Sequence, residues 1–114
     1  MKRVIYSNIV INKLQILSEY LTNAFGEKTE KRVLADILKQ LDNLGFVSVG
    51  ASIKEQYGVE CDYYYIYIDK NYFIFVSDEE KVQIIEMFNE KEDFIYVMFG
   101  LSMRSQESVD YWGE

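Results

Sequence analysis

Histidine is absent from this chain, and cysteine occurs once, at Cys61. Without histidine there is no side chain that serves as a general base near neutral pH in its unperturbed state, and the commonest nitrogen ligand for metals is missing. The Ser–His and Cys–His nucleophile pairs are closed off as well. A lone cysteine forms no internal disulfide and cannot anchor a structural zinc within one chain. Arginine is scarce, limited to Arg3, Arg32 and Arg104, and the net charge of −7 opposes attraction to phosphate backbones. Direct sequence-specific DNA binding is therefore not expected, nor is any cofactor or metal. Long apolar runs are missing too, and nothing approaches the roughly 20 residues that span a bilayer. Met1-Lys2-Arg3 resembles the charged start of a signal peptide, but Asn8, Asn12 and Lys13 interrupt the apolar stretch that follows. A cytoplasmic protein without membrane association is expected.

What the chain does have is aromatic residues in short runs. Asp62 to Phe88 reads DYYYIYIDKNYFIFVSDEEKVQIIEMF, three runs rich in Tyr, Ile, Phe and Val separated by polar clusters. Such side chains suit a pleated, half-buried surface, and the clusters are turn signals. The pattern predicts an antiparallel meander of Asp62–Ile68, Tyr72–Ser77 and Lys81–Phe88. Side-chain alternation puts Tyr63, Tyr65 and Tyr67 on one face of the first strand and Tyr64, Ile66 and Ile68 on the other. The second strand is apolar on both faces, which places it mid-sheet with cover on both sides.

Upstream, Lys2–Tyr6 is β-prone, and Ser7 or Asn8 can cap a following helix. Val10, Leu14, Leu17, Leu21 and Ala24 mark one face of that helix to about Phe25, with Ile9, Ile16 and Tyr20 widening its apolar stripe toward packing on a second side. Gly26 suits its end. Val33, Leu34, Ile37, Leu38, Leu41 and Leu44 give a second helix from about Lys28 to Asn43, with Gly45 as its stop. A short link makes the two an antiparallel hairpin. Phe46 to Cys61 reads as irregular, with Val47 and Val49 either a short strand or packed beneath the loop. Downstream, Asp93 caps a short helix, Phe94 to Phe99, ended by Gly100. The chain is expected to be one domain with a core over about residues 2–99 and an appendage over 100–114, where Tyr111 and Trp112 are expected to dock.

The order strand, helix, helix, strand, strand, strand resembles the RelE/ParE superfamily of toxins from type II toxin–antitoxin modules. The resemblance is carried by VIYSNIVINKLQILSEYLTNAFGE with its Tyr-Leu-x-x-x-Phe-Gly-Glu close, by KRVLADILKQLDNL, and by NEKEDF where the family often has a basic string. It implies an α+β fold, β-α-α-β-β-β(-α), with a twisted antiparallel sheet backed on one face by the hairpin and an open, concave far face. It implies an antitoxin partner, leaves room for a homodimer, and allows two activities: ParE-like poisoning of DNA gyrase by protein contact, or RelE-like cleavage of messenger RNA on the ribosome.

Ribonuclease chemistry needs cations to hold phosphate and stabilise transition-state charge. The first two meander strands contain no Lys or Arg, so Arg104, Lys91 and Tyr111 are the remaining candidates for that work. For partner binding the candidates are Tyr63, Tyr65, Tyr67 and Trp112, because Tyr and Trp combine large area with a polar group. Packing of the tyrosine row beneath the C-terminal segment competes with that reading. Asp78-Glu79-Glu80 and Glu90/Glu92/Asp93 read as solvated turns, and Cys61 as a small packed residue. The ParE-like toxin is the reading the residues favour. An active ribonuclease, or an inactive toxin kept as a binding protein, is the alternative.

Overall fold

The computed structural model describes residues 1–100. Its elements follow in the order β1 (Arg3–Tyr6), α1 (Asn8–Phe25), α2 (Glu27–Asn43), β2 (Ala51–Ser52), α3 (Ile53–Tyr57), β3 (Tyr64–Ile68), β4 (Asn71–Ser77), β5 (Lys81–Asn89) and α4 (Phe94–Phe99). The strands make one sheet, ordered β1-β5-β4-β3-β2. The meander and β2 pair antiparallel, whereas β1 runs parallel to β5, with Arg3 opposite Lys81 and Tyr6 opposite Ile84. A parallel edge requires a crossover rather than a tight turn, and the helical hairpin begins that long return.

The middle strand is covered on both sides, as its two apolar faces predict. Phe73 and Phe75 join Val82, Ile84 and Met87 under Val10, Ile37, Leu41 and Leu44 of the hairpin. On the reverse face Ile74 packs with Ile53, Phe88, Phe94 and Ile95. The sheet is thus the middle layer of three, between the hairpin and the two short helices α3 and α4.

Local chemistry explains how the hairpin is seated. Ser7 Oγ accepts from the Val10 N–H at 3.1 Å, the N-cap expected of it, and donates to the Ile85 carbonyl at 3.0 Å. Ile85 is the extra residue of a bulge, since Ile74 pairs with Glu86 while Phe75 pairs with Ile84. One turn further on, Lys13 Nζ meets Glu86 Oε1 at 2.6 Å and the Met87 carbonyl at 3.0 Å, and lies 4.6 Å from the Phe88 ring centre. Ser7 and Lys13 thus tie the bulge to the first turns of α1. The link to α2 is the single residue Gly26, at φ 95 and ψ 164, backbone angles essentially reserved for glycine. Contacts Ser18–Glu30 at 2.8 Å and Tyr6–Asp42 at 2.5 Å show the helices running antiparallel.

Four details depart from the sequence expectations. The second helix starts at Glu27, one residue early. Gly45 follows that helix without a left-handed angle; a Cβ there would lie 2.4 Å from the Lys2 carbonyl oxygen, so close backbone approach is what selects glycine. The stretch Phe46–Cys61 is not wholly irregular, for it holds β2 and α3, the latter capped by Ser52 Oγ accepting from the Glu55 N–H at 3.3 Å. Val47 and Val49 belong to neither and stay exposed.

Candidate functional site

A cleft of about 910 Å³ opens between the C-terminal half of α1, the start of α2 and the turns at one end of the sheet. Its apolar lining includes Leu17, Leu21, Val33 and Met87, and its outer wall Ile16, Tyr20 and Phe25. These wall residues are 63%, 59% and 62% exposed, and Tyr20 and Phe25 meet edge to face at 6.3 Å. The sequence suggested that Ile9, Ile16 and Tyr20 widen the stripe of α1 to pack on a second side; among the described residues that side has no partner, with Ile9 also 52% exposed. Apolar residues gathered on one free helix face are a mark of an interaction surface.

The rim of the cleft is charged. Arg32, Lys70 and Lys91 stand there with Asp69, Glu90 and Glu92, and none of the three cations forms an ion pair among the described residues. The β3–β4 turn supplies part of this rim by an unusual backbone. Asp69 and Lys70 both take left-handed angles, φ 47 and 68, the pattern of a two-residue hairpin turn that favours Asn and Gly. Asp69 shares a hydrogen bond with Asp36 of α2, which raises the Asp69 carboxyl above its ordinary value and lowers that of Asp36. Nearby, the Tyr67 hydroxyl donates to Glu90 Oε1 at 2.5 Å, and that bond pushes its pKa up to about 12.

The far face of the sheet is not bare. Phe94 of α4 sits at the centre of an aromatic group, 4.9 Å from Tyr72, 5.5 Å from Tyr65 and 5.7 Å from Tyr57 between ring centres. Burial and the neighbouring Tyr65 push the Tyr57 hydroxyl up to about 12. Asp93 Oδ1 caps α4 by accepting from the Tyr96 N–H at 3.1 Å, and Gly100 ends it in a left-handed conformation, as the sequence indicated. The open concave face implied by the resemblance is therefore partly roofed by α3 and α4. Ile53 and Tyr57 of α3 and the apolar α4 form this cover because both faces of β4 need it.

The structure separates the candidate residues. Tyr63 and Tyr65 are half-buried under the roof, Tyr63 lying 6.1 Å from Phe99, while Tyr67 is 47% exposed with its ring 5.1 Å from that of Tyr72. Lys91 is exposed on the β5–α4 turn, its backbone N–H donating to Asn89 Oδ1 at 3.0 Å. Arg104, Tyr111 and Trp112 lie outside the described residues. Asp78 accepts from the Glu80 and Lys81 N–H groups at 2.8 and 2.9 Å, which holds its carboxyl below the usual range in a solvated turn. Cys61 packs at the margin of the far-face core. The α1 wall and the Arg32–Lys70 rim were missed in the sequence; the surplus width of the α1 stripe was the available signal.

Hairpin, mixed sheet and C-terminal helix together define a ParE/RelE-like α+β fold. Among solved structures, the chain is similar to one from the chromosomal ParDE TA system of P. aeruginosa, with a TM-score of 0.65 and 14% identity over 78% of this chain and 96% of that chain. No protein-family model and no curated protein matches the sequence.

Proposed function

We propose that this chain is the toxin-like component of a bacterial toxin–antitoxin module, ParE-like in acting by protein contact. Its implied target is DNA gyrase, its place of action the cytoplasm, and its inhibitor an antitoxin laid along the hairpin and the adjacent sheet end. The observation that carries this reading is the apolar wall of α1, Ile16, Tyr20 and Phe25, uncovered among the described residues and standing over a cleft of about 910 Å³. Amphipathic helices use such grooves, placing apolar anchors on the floor and charges at the rim. Tyr67, exposed beside Glu90, is a further contact residue on this reading, and Tyr63 and Tyr65 contribute through the roof they support.

The far face supports the same choice. Its described strand residues around Tyr65, Tyr72 and Ile74 are aromatic and aliphatic, packed beneath Phe94, and offer no cation where phosphate would need one. Inducible expression tests the proposal. Growth arrest with a DNA-damage response and intact messages is the expected result, relieved by co-expression of an antitoxin from the adjoining reading frame. Cleaved messages relieved by Arg104→Ala would establish the ribosome-dependent nuclease instead. Normal growth with retained partner binding would leave the inactive binder.

A further inference from the structure

Strand β1 ends at Tyr6, opposite Ile84, so the last part of β5, Ile85–Asn89, has no strand beside it on that side among the described residues. The phase of its pairing with β4 is set by the Glu90 N–H, which donates to the Lys70 carbonyl at 2.8 Å. Backbone groups alternate in an antiparallel pair, so Glu86 and Phe88 turn theirs to β4 while Met87 and Asn89 turn theirs outward. A row of such groups at a sheet edge is a template for another strand. Here each is already engaged. The Met87 N–H donates to Glu86 Oε1 at 3.0 Å, and the Met87 carbonyl accepts from Lys13 Nζ at 3.0 Å. The Asn89 N–H donates to Glu92 Oε1 at 3.1 Å, and its carbonyl accepts from the Glu92 N–H at 2.9 Å. The Ile85 carbonyl is held by Ser7.

Lys13 Nζ and Glu86 Oε1 also meet each other at 2.6 Å, so together they offer Met87 the donor and the acceptor that a neighbouring strand would offer. We infer that this pair is an edge guard, closing β5 against strand addition by the same edge of a second copy. Two such edges would pair antiparallel about a two-fold axis, the self-complementary contact that open strand edges make. Their approach requires both Lys13 side chains to leave. That strips the Met87 carbonyl of its donor and leaves Glu86, 22% exposed, without its cation. The Phe88 ring under the ammonium holds the guard in place. Lys13, Met87, Asn89 and Glu92 all line the α1 cleft, so a segment entering it meets side chains rather than open backbone. This role is independent of the toxin reading.

Sedimentation and amide exchange of the full-length protein test the guard. Lys13→Met keeps an unbranched stem over Phe88 and removes the donor, whereas Lys13→Arg restores both donor and charge. Lys13→Met should strengthen concentration-dependent self-association about tenfold over the parent, or about 1.4 kcal/mol, and Lys13→Arg should return it to the parent's level. Glu86→Gln, which keeps an acceptor for the Met87 N–H but frees Lys13, should show the same change in smaller measure. In dilute Lys13→Met the Met87 amide should exchange faster than in the parent. Met87 and Asn89 should then regain protection as concentration rises, which an added strand does and a loosened helix does not. The Phe73 amide, inside the sheet, should keep the parent's rate and so shows that the variant is folded. Sedimentation equal to the parent's in both Lys13→Met and Glu86→Gln would overturn the guard and leave Lys13 a packing contact of α1. So would association that leaves the Met87 and Asn89 amides unprotected, since the contact would then lie elsewhere.

Discussion

The hydroxyl of Tyr67, on β3, donates to the carboxylate of Glu90 just beyond β5, across the width of β4, at 2.5 Å. The bond exists only while the phenol keeps its proton, so ionisation is resisted and the pKa stands at about 12. The folded value exceeds the unfolded one of about 10, so the bond's contribution is complete below pH 10 and is lost as pH rises through 12. Ultraviolet titration of the phenolates should show a component with a midpoint near 12, shared with Tyr57, that loses the Tyr67 contribution in Tyr67→Phe. Glu90→Gln should return the Tyr67 part of that component toward about 10 and leave the Tyr57 part in place.

Asp69 and Asp36 make the β3–β4 turn sensitive to acid. Two carboxyls that share one hydrogen bond need one proton between them, and Asp69 is the partner that keeps it to higher pH. Because its folded pKa is raised, that carboxyl favours the folded state on acidification and loses this contribution as pH rises through the folded value. Asp69→Asn supplies a permanent donor to Asp36 and suits the left-handed angle of φ 47. Its melting temperature should exceed that of the parent at pH 7, with the gap narrowing toward about pH 3, where Asp69 of the parent carries its proton and itself donates to Asp36. An equal gap at both pH values would assign the gain to backbone preference alone.

Phe73 is fully buried at the heart of β4, and Ile16 is 63% exposed on α1. Phe73→Ala should cost about 3–5 kcal/mol in chemical denaturation, the loss typical of a large aromatic removed from a core. Ile16→Asp should leave stability within about 0.5 kcal/mol of the parent, as surface changes do. The same Ile16→Asp substitution, with Tyr20→Asp, should prevent co-purification with the antitoxin proposed above. Retained binding would move the partner surface away from α1.

Gly45→Ala places a methyl group 2.4 Å from the Lys2 carbonyl oxygen. Relief requires β1 to shift, and the Lys2 N–H to Gly45 carbonyl bond of 2.8 Å stands in the way. Amide exchange should accelerate at Val4, Ile5 and Tyr6 while the meander amides remain protected. Gly58→Ala, where a Cβ meets nothing within 4 Å, is the contrasting case: its cost comes from the φ of 73 alone and stays local to α3.

Much of this architecture was legible in the chain. Ser7 and Asp93 announced their helices because a hydroxyl or carboxyl before an apolar pattern has one favoured local partner, the orphan N–H groups of the first turn. Alternation in the meander disclosed two buried faces. What escaped was non-local. Ser52 and Ile53 start α3 only because Ile74 and Phe94 offer a surface on which five residues can pack. The parallel course of β1 depends on how the hairpin directs the returning chain, which no local pattern encodes. The α1 wall looked like core because exposure of Ile16 and Tyr20 is decided by what does not cover them. Lys70 gave no hint of the rim, since its place there follows from the turn's left-handed backbone.

The pairing of β1 with β5 has a temporal consequence. During synthesis Arg3–Tyr6 is made well before its neighbours in the sheet, Lys81–Ile84, which belong to the last of the described strands. Contacts so distant along the chain must wait for loop closure, which slows folding. Ser7 and Lys13 likewise have no bulge to grip until β5 arrives, so α1 can be seated on the sheet only late. Whatever surface α1 offers to another protein is therefore assembled only after β5 has been made.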